Sequence, residues 1–146
     1  MAREYRLSWG RRAGNSVMAR MLARGLGPKG IYLLTVAGRT SGLPRTTPIF
    51  VLSYAGERWL VSPYGTVSWV RNARAAGKVT LRRGGDVETV GVIEVGPAEA
   101  GPVLKEYVEK LRIVRPYFDA APGAPADDFA AEAARHPVFR LGDRAA

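Results

Sequence analysis

The stretch that decides the fold is Thr35–Tyr54, TVAGRTSGLPRTTPIFVLSY. Upstream lies the short β-rich apolar run IYLLTVA (31–37), and the stretch itself ends in a second run, PIFVLSY. Two such runs joined by a glycine- and proline-rich turn read as a β-hairpin. An ordinary hairpin turn needs only two or three residues of special conformation. This one places Arg39, Thr40, Ser41 and Arg45 around Gly38, Gly42 and Pro44. Glycines let the backbone adopt positive φ and approach a ligand closely. Hydroxyls and free N–H groups donate, and guanidinium forks match phosphate or carboxylate oxygens. The turn is therefore either a solvated loop or a cradle for an anion.

Working outward, RWLVSPY (58–64) reads as a third strand after the turn AGE. Pro48 and Pro63 cannot donate to a ladder and are expected at edges, strand ends or bulges. Thr66 is the expected cap of a helix VSWVRNARAA closed by Gly77. KVTLRR (78–83) and DVETVGVIEV (86–95) form a hairpin about Gly84-Gly85. A helix opens at Pro97 or Pro102 and runs to about Arg112, with Leu104, Val108 and Leu111 on its apolar face. Residues 115–128 are irregular, 129–135 a short helix, and PVFRL (137–141) a last strand. Ahead of the first strand, residues 1–14 are a candidate flexible segment. Asn15 then caps a helix to about Arg24, ended by Gly25 and Gly27. Its Val17, Met18, Met21 and Leu22 suit core packing, and its Arg20 and Arg24 leave peripheral contact with a membrane as the other reading. Hairpin-length connections favour an α+β chain: a mostly antiparallel sheet or barrel with helices outside, in one domain over 1–146.

The 146 residues contain no cysteine and one histidine, His136, so neither thiolate chemistry nor a histidine-rich metal site is available; no metal is expected. No apolar run approaches the roughly 20 residues of a membrane span. The amino-terminal residues lack a secretory signal, so a cytoplasmic protein is expected, membrane association being the alternative. Net charge is +9, and it is concentrated: residues 1–45 hold nine Lys/Arg against one acidic residue. That bias suits an anionic partner, but without clustered aromatics or a recognisable motif no nucleic-acid binding is expected.

A second constellation supports the anion reading. SPYG (62–65) leads into the helix near Thr66, whose amino terminus carries partial positive charge. Trp69 and Asn72, three apart, share a helix face. An anion-seeking turn and a face with a flat ring and an amide suit a ligand with an anionic tail and a planar head.

LLTVAGRTSGLPRTTPIF, WLVSPYG and SWVRNARAAGKVTL, in that order, resemble the deazaflavin (F420)-dependent nitroreductase and quinone reductase family, with a weaker echo in HPVFRL. The resemblance covers about Tyr32–Leu81. It implies a split β-barrel, FMN-binding-like in form, and a cofactor, coenzyme F420. The activity implied is hydride transfer from the reduced deazaflavin to a quinone, enone or nitro compound as small-molecule electron acceptor. It implies tail or phosphate binding by Arg39, Thr40, Ser41, Gly42 and Arg45, with Thr47 and Pro48 beside the deazaflavin. Val61, Ser62, Pro63, Tyr64 and Gly65 match the loop that meets ring and phosphate, and Trp69 and Asn72 the family's Trp-x-x-Asn helix. Some relatives carry Ser-Lys-Gly where this chain reads Pro63-Tyr64-Gly65, and lysine is common where Thr40 stands. Tyr117 and Phe118 are candidates to close over the substrate face. No catalytic residue is evident. FMN is the alternative cofactor, and a barrel that carries a lipid or fatty acid without catalysis the alternative function. The Val87–Val95 strand is a candidate homodimer surface.

Overall fold

A computed structural model describes residues 17–144; residues 1–16, including the expected cap Asn15, and 145–146 lie outside it. Helix α1 covers residues 17–23 of the described chain and ends in Gly25 and Gly27, both at positive φ. Its apolar stripe divides: Leu22 is fully buried, whereas Val17 and Met21 stay exposed.

Six strands follow: β1 Ile31–Ala37, β2 Pro44–Tyr54, β3 Glu57–Val61, β4 Lys78–Arg83, β5 Asp86–Glu94 and β6 Val138–Arg144. They close into a barrel of order β1-β2-β3-β6-β5-β4, every pairing antiparallel. This is the split β-barrel that the resemblance implies. The period-2 alternation of apolar residues turns Leu34, Val36, Ile49, Val51, Leu60, Val79, Leu81, Val90, Phe139 and Leu141 into one core. Helix α2, Ser68–Ala76, closes one end with Val70 and Ala73. At the other end the carboxylate of buried Glu88 pairs with Arg58. The alternation in β5 thus carries a charge inward, and the cross-barrel ion pair is what makes that burial tolerable.

A second core lies outside the barrel. Leu52, Trp59, Val61 and Val138 are covered by helix α3, Pro97–Lys110. Ala100, Val103, Leu104, Tyr107 and Val108 recur at helical spacing and form the covering face. A 3-10 turn (Arg112–Tyr117), the short helix α4 (Ala126–Ala130) and a second 3-10 turn (Ala133–Arg135) complete this layer.

Several boundaries differ from the expectation. The third strand stops at Val61, because Ser62–Gly65 turns away: Gly65 takes a φ of 88° and its carbonyl accepts the Ser62 hydroxyl. The cap of α2 is Val67, without a side-chain bond, rather than Thr66. Val67's carbonyl instead accepts the N–H groups of Val70 and Arg71. The expected helix over 129–135 is two short pieces.

Pro48 sits in mid-strand, yet within the expected rule. The first half of β2 pairs only with β1, and the second half, from Val51, also pairs with β3. Thr46–Pro48 therefore have no strand on their other side, and the barrel is open there.

Candidate functional site

That opening is the floor of a cleft of about 1010 Å³, at the upper end of ordinary small-molecule sites. Its walls are the β1–β2 turn, Thr46–Pro48 of β2, Tyr64, and the start of α2 from Thr66 to Asn72.

The turn is held internally. Gly38 N–H donates to Leu43 O and Gly42 N–H to Gly38 O, both at 2.8 Å. Leu43 N–H donates to Ser41 Oγ at 3.2 Å. Gly42 has a φ of 73°, and a Cβ on Gly38 would stand 3.0 Å from Ser41 Oγ, so both glycines are required by the turn itself. Four amides of the turn are spent in this way or on Asn72, which leaves those of Thr40 and Ser41 without a partner among the described residues. The nest is smaller than the residue types suggested.

Asn72 stands in the cleft wall and also holds the turn. It is buried, and its Oδ1 accepts both the Arg39 N–H and Arg39 Nη1, each at 3.0 Å. The amide oxygen thus fixes the turn to α2. Arg45 is exposed at the cleft, its Nε 3.7 Å from where a Gly38 Cβ would lie. Trp69 is half-buried, packed on Phe139 with ring centroids 5.7 Å apart, and presents its remaining surface to the cleft. Core packing and site lining are both true of it.

The cleft also gathers residues the sequence reading passed over: Thr46, Thr66, Val67, Ser68 and Arg71. Ser68 and Arg71 are three apart at the start of α2 and share a face, the same spacing that singled out Trp69 and Asn72. Arg71 makes a third guanidinium beside Arg39 and Arg45.

Around the SPYG turn the site residues separate. Val61 points its side chain into the second core, and Ser62 and Pro63 are buried. Tyr64 alone of these reaches the cleft, its ring meeting Tyr117 edge-on at 4.9 Å. Phe118 does not lie at the cleft: it is buried in the second core and stacked on His136, centroids 3.9 Å apart. Tyr117, the last residue of the 3-10 turn, is half-buried, packs on the same core and reaches the cleft only through its edge contact with Tyr64.

Three guanidinium groups, the hydroxyls of Thr40, Thr47, Thr66 and Ser68, and the amino terminus of α2 therefore open on one cleft with an indole wall. That donor set fits a group with several negative charges and a planar ring. Among the described residues no group of three or more metal-ligating side chains occurs, and no helix is long and apolar enough to cross a membrane.

The sequence matches the family described as F420H(2)-dependent quinone reductase over residues 9–120. No curated protein is significantly similar in sequence. The fold is similar to that of a protein described as a domain-swapped dimer, at TM-score 0.57 and 21% identity over 92% of this chain and 97% of that one. It is also similar to an F420-H2 dependent reductase, FDR-A, at TM-score 0.55 and 22% identity over 78% and 95%. A NimC/NimA family protein from Clostridium acetobutylicum is similar at TM-score 0.53 and 17% identity over 90% and 84%.

Proposed function

The chain belongs to the F420H2-dependent quinone reductase family, and from that premise we propose that the cleft between the β1–β2 turn and α2 is its cofactor site. The protein is an F420-dependent oxidoreductase. The observation that carries the placement is the convergence of Arg39, Arg45 and Arg71 on one cleft walled by Trp69 and Pro48. When bound, the deazaflavin supplies a hydride to an electron-poor acceptor, a quinone, enone or nitro compound.

The chain's own residues bind and orient. Arg39 and Arg45, with the Thr40 and Ser41 amides and the Gly42 turn, hold the anionic tail and phosphate. Arg71 and the first turn of α2 add positive charge where the tail meets the ring. Thr47, Pro48 and Trp69 flank the planar head, and the buried Val61–Pro63 segment backs it and excludes water. Tyr64 and Tyr117 form the rim on the acceptor side. The cytoplasm is the proposed location, and residues 1–146 act as one domain.

Titration of the purified protein with F420, read by the cofactor's fluorescence at low and high salt, tests the site. Saturable, salt-weakened binding is expected, tighter than that of FMN, followed by turnover of a naphthoquinone. Binding of FMN alone, or pelleting with anionic liposomes without F420 binding, would overturn the reading.

A homodimer is also proposed, on the outer face of β5. Val87 and Ile93 there are 52% and 53% exposed. Neighbouring Thr35–Thr46 and Thr80–Thr89 hydroxyls already bond each other at 2.8 and 2.9 Å. Burying hydroxyls that keep their partners costs little. Sedimentation of the protein and of Ile93→Lys would decide: a dimer reduced to monomer is expected, and an unchanged monomer in both would end the proposal.

A further inference from the structure

His136 and Glu132 are both buried, at 3% and 4% exposure, and belong to neither the barrel core nor the cleft wall. His136 Nδ1 lies 3.0 Å from the carbonyl oxygen of Pro63, and Nε2 lies 2.9 Å from Glu132 Oε1. A carbonyl only accepts, so Nδ1 carries a hydrogen; Nε2 and the Glu132 carboxyl hold one proton between them. Burial disfavours charge on the ring, and the His136 pKa lies below its ordinary value despite the opposing pull of Glu132. Glu132 reaches further: its Oε1 accepts the Asp119 N–H at 3.0 Å and its Oε2 the Ala120 N–H at 2.8 Å. The imidazole face stacks on Phe118.

These contacts end on the two segments that form the rim. Pro63 precedes Tyr64, and Phe118, Asp119 and Ala120 follow Tyr117. Tyr64 lies in a turn and Tyr117 is the last residue of a 3-10 turn, so no strand pairing sets the Tyr64–Tyr117 edge contact. The buried pair spans both anchor points through rigid, directional bonds.

We propose that His136 is a positioning residue: with Glu132 it fixes the Pro63–Tyr64 turn against Tyr117–Ala120 and so sets how the Tyr64 ring, backed edge-on by Tyr117, stands at the acceptor side of the cleft. The role in acceptor access rests on the cofactor-site reading above; the role in ring placement does not. The Ser62 hydroxyl closes the turn carrying Tyr64 onto Gly65 O, and the Ser62 N–H ties its start to Pro137 O. Removal of the Nδ1 donor takes away the tie at Pro63, and loss of the stack and of the Glu132 contact loosens the segment that follows Tyr117.

Two polar variants separate the two bonds. In His136→Asn the side-chain amide keeps a donor near the Nδ1 position, toward Pro63. In His136→Gln it keeps a polar group near the Nε2 position, toward Glu132, and abandons Pro63. Both are read by fluorine NMR after incorporation of 3-fluorotyrosine, with Tyr64, Tyr117 and Tyr32 assigned by single Phe substitutions. Tyr32, on β1 across the barrel, reports the fold. The expected result is a Tyr64 resonance near its original position in His136→Asn and displaced in His136→Gln, with Tyr32 unchanged in both. In turnover of a naphthoquinone, KM is expected to rise at least three-fold more in His136→Gln than in His136→Asn, with kcat within two-fold. A merely structural residue would lower the active fraction, and therefore kcat, at constant KM. Identical Tyr64 resonances in the two variants, or movement of Tyr32 together with Tyr64, would overturn the proposal. Separated Tyr64 resonances without F420 binding would leave the ring-positioning role standing and overturn the cofactor-site reading instead.

Discussion

The side-chain oxygen of Asn72 on α2 accepts the backbone N–H and the guanidinium of Arg39 in the β1–β2 turn, both at 3.0 Å. A buried amide thus ties the β1–β2 turn, through Arg39, to the helix that faces it across the cleft. Asn72→Ala leaves a part-buried N–H without its partner, which costs about 1–3 kcal/mol. At about 2–4 °C per kcal/mol for a chain of this size, the melting temperature should fall measurably. Asn72→Asp keeps the acceptor and adds attraction for Arg39, so its loss should be smaller. F420 titration should rank affinities wild type above Asp above Ala; equal affinity in all three would remove the turn from the site.

Arg45 offers the complementary case. It is exposed, and its side chain makes no hydrogen bond or ion pair among the described residues, so the fold does not depend on the guanidinium. Arg45→Ala should leave the melting temperature within the ordinary scatter of a surface change, about 0.5 kcal/mol. Loss of one charge-assisted contact, about 1.5–3 kcal/mol, corresponds to roughly ten- to 150-fold weaker F420 binding. The salt dependence of binding should become shallower as well. Unchanged affinity would mean that the guanidinium points past the cofactor.

Much of this was legible in the chain because the signals were local. Short β-rich apolar runs located all six strands, four of them to within one residue at each end, and Gly77, at φ 71°, closed α2 where a carboxy-terminal glycine should. Less visible were facts that only packing decides. Thr66 has the chemistry of a cap, yet the turn at Gly65 hands that position to Val67. Asn72 was legible as a polar group on the right face, but its partner lies 33 residues away. Tyr117 and Phe118 both pack on the second core, but only Tyr117 keeps an edge toward Tyr64, and nothing local distinguishes them. Arg71 was overlooked because its helix was read for an aromatic and an amide rather than for every residue facing the turn.

Gly101 tests the outer layer. A Cβ built there would stand 2.7 Å from the Ala126 carbonyl oxygen and 3.0 Å from Ala130 Cβ, where α3 and α4 touch. Alanine favours a helix over glycine by about 1 kcal/mol. Overpacking against a backbone atom costs about 1–3 kcal/mol and acts in the other direction. The steric cost should win, so Gly101→Ala is expected to lower the denaturant midpoint. A raised midpoint would show that α4 yields freely.

Tyr107 supplies a pH dependence of known sign. Its phenol is 4% exposed on α3, between the rings of Phe50 and Phe118. Burial first, and the Tyr64 phenol second, push its pKa far above the ordinary 10.0. Below pH 10 the phenol is neutral in both folded and unfolded chains, and it adds no pH dependence. Above pH 10 the unfolded chain releases this proton and the folded chain keeps it. The unfolded state then binds fewer protons, and stability falls as pH rises, by about 1.4 kcal/mol per pH unit. Tyr107→Phe removes the group that causes this fall. Apart from Tyr64, which faces Tyr107, the other tyrosines and the lysines are common to both proteins, and their contribution cancels in the difference. Urea midpoints measured from pH 8 to 11 should therefore show a constant gap between the two proteins up to pH 10. Beyond it the gap should shift progressively in favour of phenylalanine. Parallel curves throughout would mean that Tyr107 ionises without unfolding, and that the second core admits water at its ring.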